Sequence, residues 1–240
     1  MVRSVWALEV GLAQRRVRAY IGLGANLGDA AGTLQAAIHA LTVLPGVHLA
    51  GVSRLYATDP VGVTDQPEFR NAAVALEVPA GSDPAAGAIA LLIALKGLEV
   101  AFGRLSGRRW GPRELDLDLL VFGRARLAIA RPPAASSNDA DRDSARAAHL
   151  LEVPHPSAAK RLFVLAPLAD LASGLVPPGW PESVATARRR RAIAEGPESV
   201  RPIAGWDWAA GAWRPLTRRP RPTRGGRSAA ASDRTSGPCR

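Results

Sequence analysis

Strand-like and helix-like patterns interleave along the first 175 or so residues, so the sequence predicts a mixed fold of helices packed on a sheet. Three observations carry this expectation. Glu114–Phe122 reads as a strand: Leu115, Leu117 and Leu119 alternate with polar positions, the run then turns fully apolar, and Gly123 ends it. Val17–Gly24 reads as a strand leading into a helical pattern over Ala30–Leu44. Phe69–Val78 reads as another strand, followed by a helical pattern from Ser82-Asp83-Pro84 to about Phe102.

In chain order, Asp29 is placed to cap the first helix, which carries Leu34, Ile38 and Leu41 on one face. Gly22, Gly24 and Gly28 stand between that strand and that helix, but without the G-x-G-x-x-G spacing or the acidic residue of a dinucleotide site. Turn chemistry explains them more simply. Pro45-Gly46 makes a turn, and Val47–Tyr56 is expected to form a strand. Residues 57–68 hold two prolines and a glycine among polar residues and form a loop of functional length. Asn71 faces the same way as Phe69, where it either reads the edge of a flat heterocycle or caps a turn. In the second helix Pro84 sits in the first turn, Ile89, Leu92, Ile93 and Leu95 are expected to pack inward, and Lys96 and Glu99 lie near its end.

The chemistry concentrates around Trp110-Gly111-Pro112-Arg113-Glu114-Leu115-Asp116-Leu117-Asp118. Residues two apart on a strand share a face, so Asp116 and Asp118 stand side by side. Paired carboxylates repel unless a cation lies between them or one keeps its proton. Magnesium is commonly held by one or two carboxylates together with phosphate oxygens. Arg104, Arg108, Arg109 and Arg113 lie beside the pair, and guanidinium groups suit bidentate contact with phosphate. The combination points to metal-assisted phosphoryl transfer. The plainer alternative is a solvated edge strand whose carboxylates pair with those arginines. Trp-Gly-Pro weighs against it, because this is an awkward entry to a strand unless the turn itself is wanted.

The chain has 240 residues, 47% of them hydrophobic, which suffices for a core, and a formal net charge of +10. Lys96 and Lys160 are its only lysines, an arginine bias that resembles high-GC coding more than a nucleic-acid partner. The single cysteine, Cys239, excludes an intrachain disulfide framework and a cysteine zinc site. Residues 1–17 lack the uncharged core and cleavage site of a signal peptide, and no stretch approaches the roughly 20 apolar residues of a membrane span. A cytoplasmic location is expected, with no membrane partner. Residues 131–148 are Ala/Ser/Pro-rich, without periodicity, and are expected to be disordered. Val153-Pro154-His155-Pro156 forms a rigid turn before Lys160, Arg161 and a helix over Leu162–Leu171. From Pro177 the periodicity fades, and residues 177–240 are expected to be a basic, low-complexity extension. On that reading, removing residues 180–240 leaves substantial activity.

Five motifs occur in order. They are Tyr20-Ile21-Gly22-Leu23-Gly24-Ala25-Asn26-Leu27-Gly28; Thr58–Gln66 with Phe69-Arg70-Asn71-Ala72-Ala73-Val74; Gly103-Arg104; Arg109-Trp110-Gly111-Pro112-Arg113 with Leu115-Asp116-Leu117-Asp118; and Pro154-His155-Pro156 with Arg161–Leu168. Together they resemble the 6-hydroxymethyl-7,8-dihydropterin pyrophosphokinases of folate biosynthesis, over a domain of residues 18–176. The resemblance implies an α+β fold, a ferredoxin-like layered α/β/α sandwich with a mostly antiparallel sheet and mobile loops over the site. It implies transfer of the β,γ-pyrophosphoryl unit of ATP to the pterin hydroxymethyl group, leaving AMP. By the same resemblance, Asp116 and Asp118 hold two Mg2+ ions, and Arg104 and Arg113 neutralise the polyphosphate. Phe69 and Phe163 sandwich the pterin, while Asn71 and the backbone of the loop containing Thr58 and Val61 read its edge. Lys96, Glu99, Arg109, Trp110, His155 and Arg161 are placed at the ATP site.

The sequence departs from that family at several points. Lys96 stands where a glutamine is usual, Ser157 where many relatives carry arginine, and the loop from Arg104 to Arg109 is short. The partners expected are the two small-molecule substrates; a monomer is favoured, with the oligomeric state left open by the sequence. Two other classes make different predictions. A nucleic-acid binder would keep salt-sensitive binding after loss of Asp116 and Asp118. A metal-dependent glycosyltransferase would leave Phe69, Asn71 and Phe163 without a role.

Overall fold

The computed structural model describes residues 15–60, 65–104, 111–132, 148–196 and 198–216. Nine strands and four α-helices are placed there: β1 Arg16–Ala25, α1 Ala30–Thr42, β2 His48–Val52, β3 Leu55–Thr58, β4 Phe69–Pro79, α2 Pro84–Ala101, β5 Asp116–Phe122, β6 Leu127–Ala130, β7 His149–Val153, α3 Leu162–Ala172, α4 Val184–Glu195, β8 Val200–Asp207 and β9 Ala212–Pro215. The main sheet runs β5-β1-β4-β3-β8-β9, with β2 also paired to β4, and these pairings are antiparallel. Strands β6 and β7 form a separate hairpin.

Alternation along the strands decides what each face receives. Ile21 and Leu23 of β1, Val74 and Leu76 of β4 and Leu117 and Leu119 of β5 meet Leu34, Ile38 and Leu41 of α1 and Leu91 and Leu95 of α2. The opposite face takes α3 and α4, through Leu165, Leu168, Val184 and Ala187 against Leu120 and Val121. The result is the expected three-layer α/β/α sandwich. A register shift at Tyr20/Ile21 turns both Leu120 and Val121 of β5 toward α3 and α4.

Both long helices begin on aspartate caps. Asp29 accepts from Gly32 N–H at 3.0 Å, and Asp83 accepts from Ala85 and Ala86 N–H at 2.8 and 2.9 Å. Among the described residues, α2 is the one helix long and apolar enough to cross a membrane. One face of it lies on the sheet, where Gly87, Ala88, Leu91 and Leu95 are buried, while Val100 points outward. Ile93 departs from expectation: it points outward and is 67% exposed, because Leu91 and Leu95 define the inner face.

The strand expected over Val47–Tyr56 is broken at Ser53-Arg54 into β2 and β3, which pair with successive parts of β4. Ser53 holds the break: its N–H donates to Ala73 O at 2.9 Å, and its Oγ accepts from Ala73 N–H at 2.8 Å. Beyond it, Asp170 of α3 binds the Arg54 guanidinium and accepts from the Tyr56 hydroxyl at 2.8 Å, tying α3 to β3. Burial, followed by the charge of Asp170, pushes the Tyr56 phenol well above the ordinary tyrosine value. The unfolded phenol titrates near pH 10, about its usual value. The neutral Tyr56 therefore contributes its full stability below that pH, and the contribution is lost as pH rises toward the higher folded pKa. Urea unfolding across pH 8 to 11 should show stability falling from about pH 10, and less steeply in Tyr56→Phe; identical profiles for the two proteins would contradict the assignment.

The expectation of an unstructured tail from residue 177 is overturned for residues 177–216. Helix α4 packs on α3 with Val184 and Ala187 fully buried, and β8 adds to the sheet beside β3. Trp213 stacks edge-on to Trp206 at 5.0 Å between centroids and donates Nε1–H to Ser53 O at 2.9 Å. His39 Nε2 donates to Gly211 O at 3.0 Å, which fastens the β8–β9 hairpin to α1. Truncation before Pro177 would uncover Leu165, Leu168 and the β3 edge. We expect such a protein to be insoluble, as checked by expression and gel filtration; a soluble, active truncation would show that these contacts are dispensable. Residues 217–240 and 1–14 lie outside the described residues, as do residues 133–147 of the segment 131–148 expected to be disordered, whose ends are paired by Arg131 N–H donating to Ala148 O at 2.9 Å; β1 begins at Arg16, before the domain start expected at residue 18.

Candidate active site

A cavity of about 320 Å³ opens on the α3 face, where the C-terminal ends of β1 and β3 meet the N-terminal ends of β4 and β5. Thr58, Phe69, Asn71 and Phe163 line it together with Lys96, Arg104, Arg113, Asp116, Asp118, His155 and Arg161. Asp59, Gly24 and Gly111 complete the wall and were not singled out from sequence as site residues. Val61, Arg109 and Trp110 lie outside the described residues.

Asp116 and Asp118 face the cavity from β5, opposite Gly24 and Gly22 of β1, while Leu117 between them points into the core. Arg104 Nη1 reaches Asp116 Oδ1 at 2.6 Å, and Arg113 Nη1 pairs with Asp116 Oδ2. Burial disfavours the charged form of Asp116, but Arg113, Arg104 and Lys96 outweigh it and hold the carboxyl below its usual range. The side chain is therefore an anion at neutral pH, as a metal ligand must be. Two carboxylates on one strand face, open to a cavity lined with guanidinium groups, form an oxygen donor set that suits magnesium with phosphate.

Glu99 does not line the cavity. It is 3% exposed and supports β5 from behind. Because β5 is the edge strand, Leu117 N–H and C=O point away from β1 and need partners. Leu117 N–H donates to Glu99 Oε1 at 2.7 Å, and Lys96 Nζ donates to Leu117 O at 3.1 Å. Lys96 also pairs with Glu99 Oε1 at 2.7 Å, and Arg104 with Glu99 Oε2 at 2.6 Å. One buried carboxylate thus fixes the strand that bears the aspartates and an arginine that reaches Asp116.

On the other side, Asn71 Nδ2 donates to Thr58 Oγ1 at 2.9 Å, which orients the amide within the cavity wall. Gly24 lies opposite Asn71 in the β1–β4 register, and a Cβ there would come within 3.3 Å of Asn71 Oδ1. Gly24 is therefore a strand position kept bare on the cavity side, Gly22 is a strand position facing the Leu120 side chain, and only Gly28, with φ +55°, does the turn work expected of all three. Asn26, 3% exposed, joins the two halves of the site. Its Oδ1 accepts from Arg113 N–H at 2.7 Å, and its Nδ2 donates to Gln66 Oε1 and Pro67 O, both at 3.1 Å. His155 is anchored by its N–H to Leu120 O at 2.9 Å, and the Arg161 guanidinium sits 5.7 Å from the Phe163 ring centroid.

The family model described as 7,8-dihydro-6-hydroxymethylpterin-pyrophosphokinase (HPPK) matches residues 20–173. The 2-amino-4-hydroxy-6-hydroxymethyldihydropteridine pyrophosphokinase of Pseudomonas aeruginosa is 40% identical over 158 residues, covering 66% of this chain and 82% of that protein. The namesake from Bacillus subtilis is 38% identical over 153 residues, covering 64% and 77%. Among solved structures, a Plasmodium falciparum HPPK-DHPS crystallised with pteroate superposes with a TM-score of 0.60 at 13% identity, covering 84% of this chain and 48% of that one. That last likeness concerns the fold, and this chain spans about half of the longer protein. The chain belongs to the 7,8-dihydro-6-hydroxymethylpterin-pyrophosphokinase (HPPK) family and transfers pyrophosphate from ATP to 6-hydroxymethyl-7,8-dihydropterin, a step of folate synthesis.

Proposed function

We propose that Asp116 and Asp118 hold two Mg2+ ions against the polyphosphate of ATP, and that the pterin lies beside them between Phe69 and Phe163. The observation that carries this reading is the single cavity in which the carboxylate pair, two arginines, two phenylalanines and Asn71 converge. Phenylalanine rings suit offset stacking on a flat heterocycle, and the Asn71 amide beside Thr58 supplies donor and acceptor for its edge. Lys96, His155 and Arg161 line the nucleotide side, with Arg109 and Trp110 assigned there by resemblance, and Val61 to the pterin side. Glu99 serves as support for β5 and Arg104.

Phosphoryl transfer of this kind requires positioning and charge stabilisation more than covalent chemistry. Magnesium, held by Asp116 and Asp118, would supply positive charge to the phosphates and would acidify a nearby hydroxyl. Arg104 and Arg113 both pair with Asp116, so their donors are aimed at the cavity. They exchange carboxylate for phosphate as the polyphosphate enters and stabilise the charge that develops as the β,γ unit leaves AMP. No side chain here is assigned as a separate general base. We place the reaction in the cytoplasm, in keeping with a chain whose one cysteine is Cys239.

A crystal structure with manganese, a non-hydrolysable ATP analogue and the pterin tests the reading. It should show two anomalous peaks within bonding distance of Asp116 and Asp118. One peak, or peaks away from both carboxylates, would contradict it.

A further inference from the structure

We propose that Arg201, supplied by the C-terminal hairpin beyond the family match, is a positioning residue that clamps the two ends of the β3–β4 connection and so holds Asp59 and the entry to Phe69 in place at the pterin pocket; this rests on the pterin reading above. The match ends at residue 173, whereas β8 spans Val200–Asp207. In the β3–β8 pairing Arg201 stands opposite Ala57, next to the cavity residues Thr58 and Asp59. From that edge, Arg201 Nη2 reaches Asp59 Oδ1 at 3.3 Å and also pairs with Glu68 Oε1. Arg201 Nη1 donates to Glu198 O at 3.1 Å, which fixes the plane of the guanidinium. The other oxygen of Glu68 accepts from Arg70 Nη1 at 3.0 Å.

The geometry matters because of what adjoins each anchor. Asp59 lines the cavity and follows Thr58, and Glu68 immediately precedes Phe69, the ring on one pocket wall. The sheet already pairs Thr58 with Phe69, so the guanidinium acts just beyond that pair: by holding Asp59 and Glu68 together it fixes Asp59 at the cavity wall and the backbone that enters Phe69. The side chains are partly exposed, at 34% for Arg201, 67% for Asp59 and 42% for Glu68. Exposed ion pairs contribute little to global stability, so the effect should appear in the pocket and not in the fold.

Steady-state kinetics on the full chain distinguish this from a structural role. Arg201→Ala should raise KM for the pterin about fivefold, with kcat and KM for ATP within about twofold of wild type and Tm unchanged. Arg201→Lys should recover only part of the loss, since an ammonium lacks the second arm by which Nη1 donates to Glu198 O and fixes the guanidinium between the carboxylates. Glu68→Ala should raise the pterin KM alone but add little in the Arg201→Ala background. The proposal is overturned if Arg201→Ala leaves the pterin KM unchanged, if kcat and both KM values move together with a fall in Tm, or if the two substitutions are additive. A wild-type protein without pterin-dependent AMP formation would instead overturn the functional reading, and the clamp with it.

Discussion

Asp118→Ala is expected to lower kcat by at least about 10³-fold while leaving the fold intact, since on the proposed reading it removes a metal ligand. The two halves of this expectation come from opposite faces of one strand. Asp118 faces the cavity from β5, opposite Gly22, so its carboxylate contributes to the site. Leu117 and Leu119 on either side face the core and are untouched by the change. Circular dichroism and thermal unfolding should match wild type while AMP formation collapses. Full activity, or an unfolded protein, would contradict the assignment.

Arg113→Ala is expected to lower kcat and kcat/KM together by about 10²- to 10³-fold, as removal of one preorganised donor does elsewhere. The arginine is well placed for such a role because its backbone is fixed independently of its side chain. Asn26 accepts from Arg113 N–H through Oδ1 at 2.7 Å and donates its own N–H to Arg113 O at 3.0 Å. Loss of the guanidinium therefore removes a donor aimed at the phosphates without loosening the segment. Asp116 keeps Arg104 at 2.6 Å, so its carboxylate retains one guanidinium partner after the substitution. Arg113→Lys should recover little, because an ammonium cannot make the paired contacts of a guanidinium. A rise in KM for ATP with unchanged kcat would show that Arg113 serves ground-state binding alone.

The sequence made the patterned elements legible. β1, α1, β4, α2, β5 and α3 lie within a few residues of where periodicity and caps put them, because Asp29, Asp83 and the apolar alternation act locally. The Asp116/Asp118 pair was equally legible, since strand geometry alone puts residues two apart on one face. What escaped depends on contacts between distant segments. Helix α4 buries only Val184 and Ala187 beneath a run of arginines, too thin a stripe to read as amphipathic. β8 is a strand because it pairs with β3, nearly 150 positions earlier, and no local pattern announces that partner. The support role of Glu99 requires knowing that β5 is a sheet edge, and the bareness of Gly24 requires knowing that Asn71 lies opposite. Asn26 sits inside a legible motif, yet its link between Gln66 and Arg113 appears only in three dimensions.

The most direct test of the central claim is chromatographic separation of the products that purified protein forms from ATP, magnesium and 6-hydroxymethyl-7,8-dihydropterin. The account predicts AMP and pterin pyrophosphate in equal amounts, both absent in Asp118→Ala. ADP with a pterin monophosphate, or turnover that ignores the pterin, would contradict it.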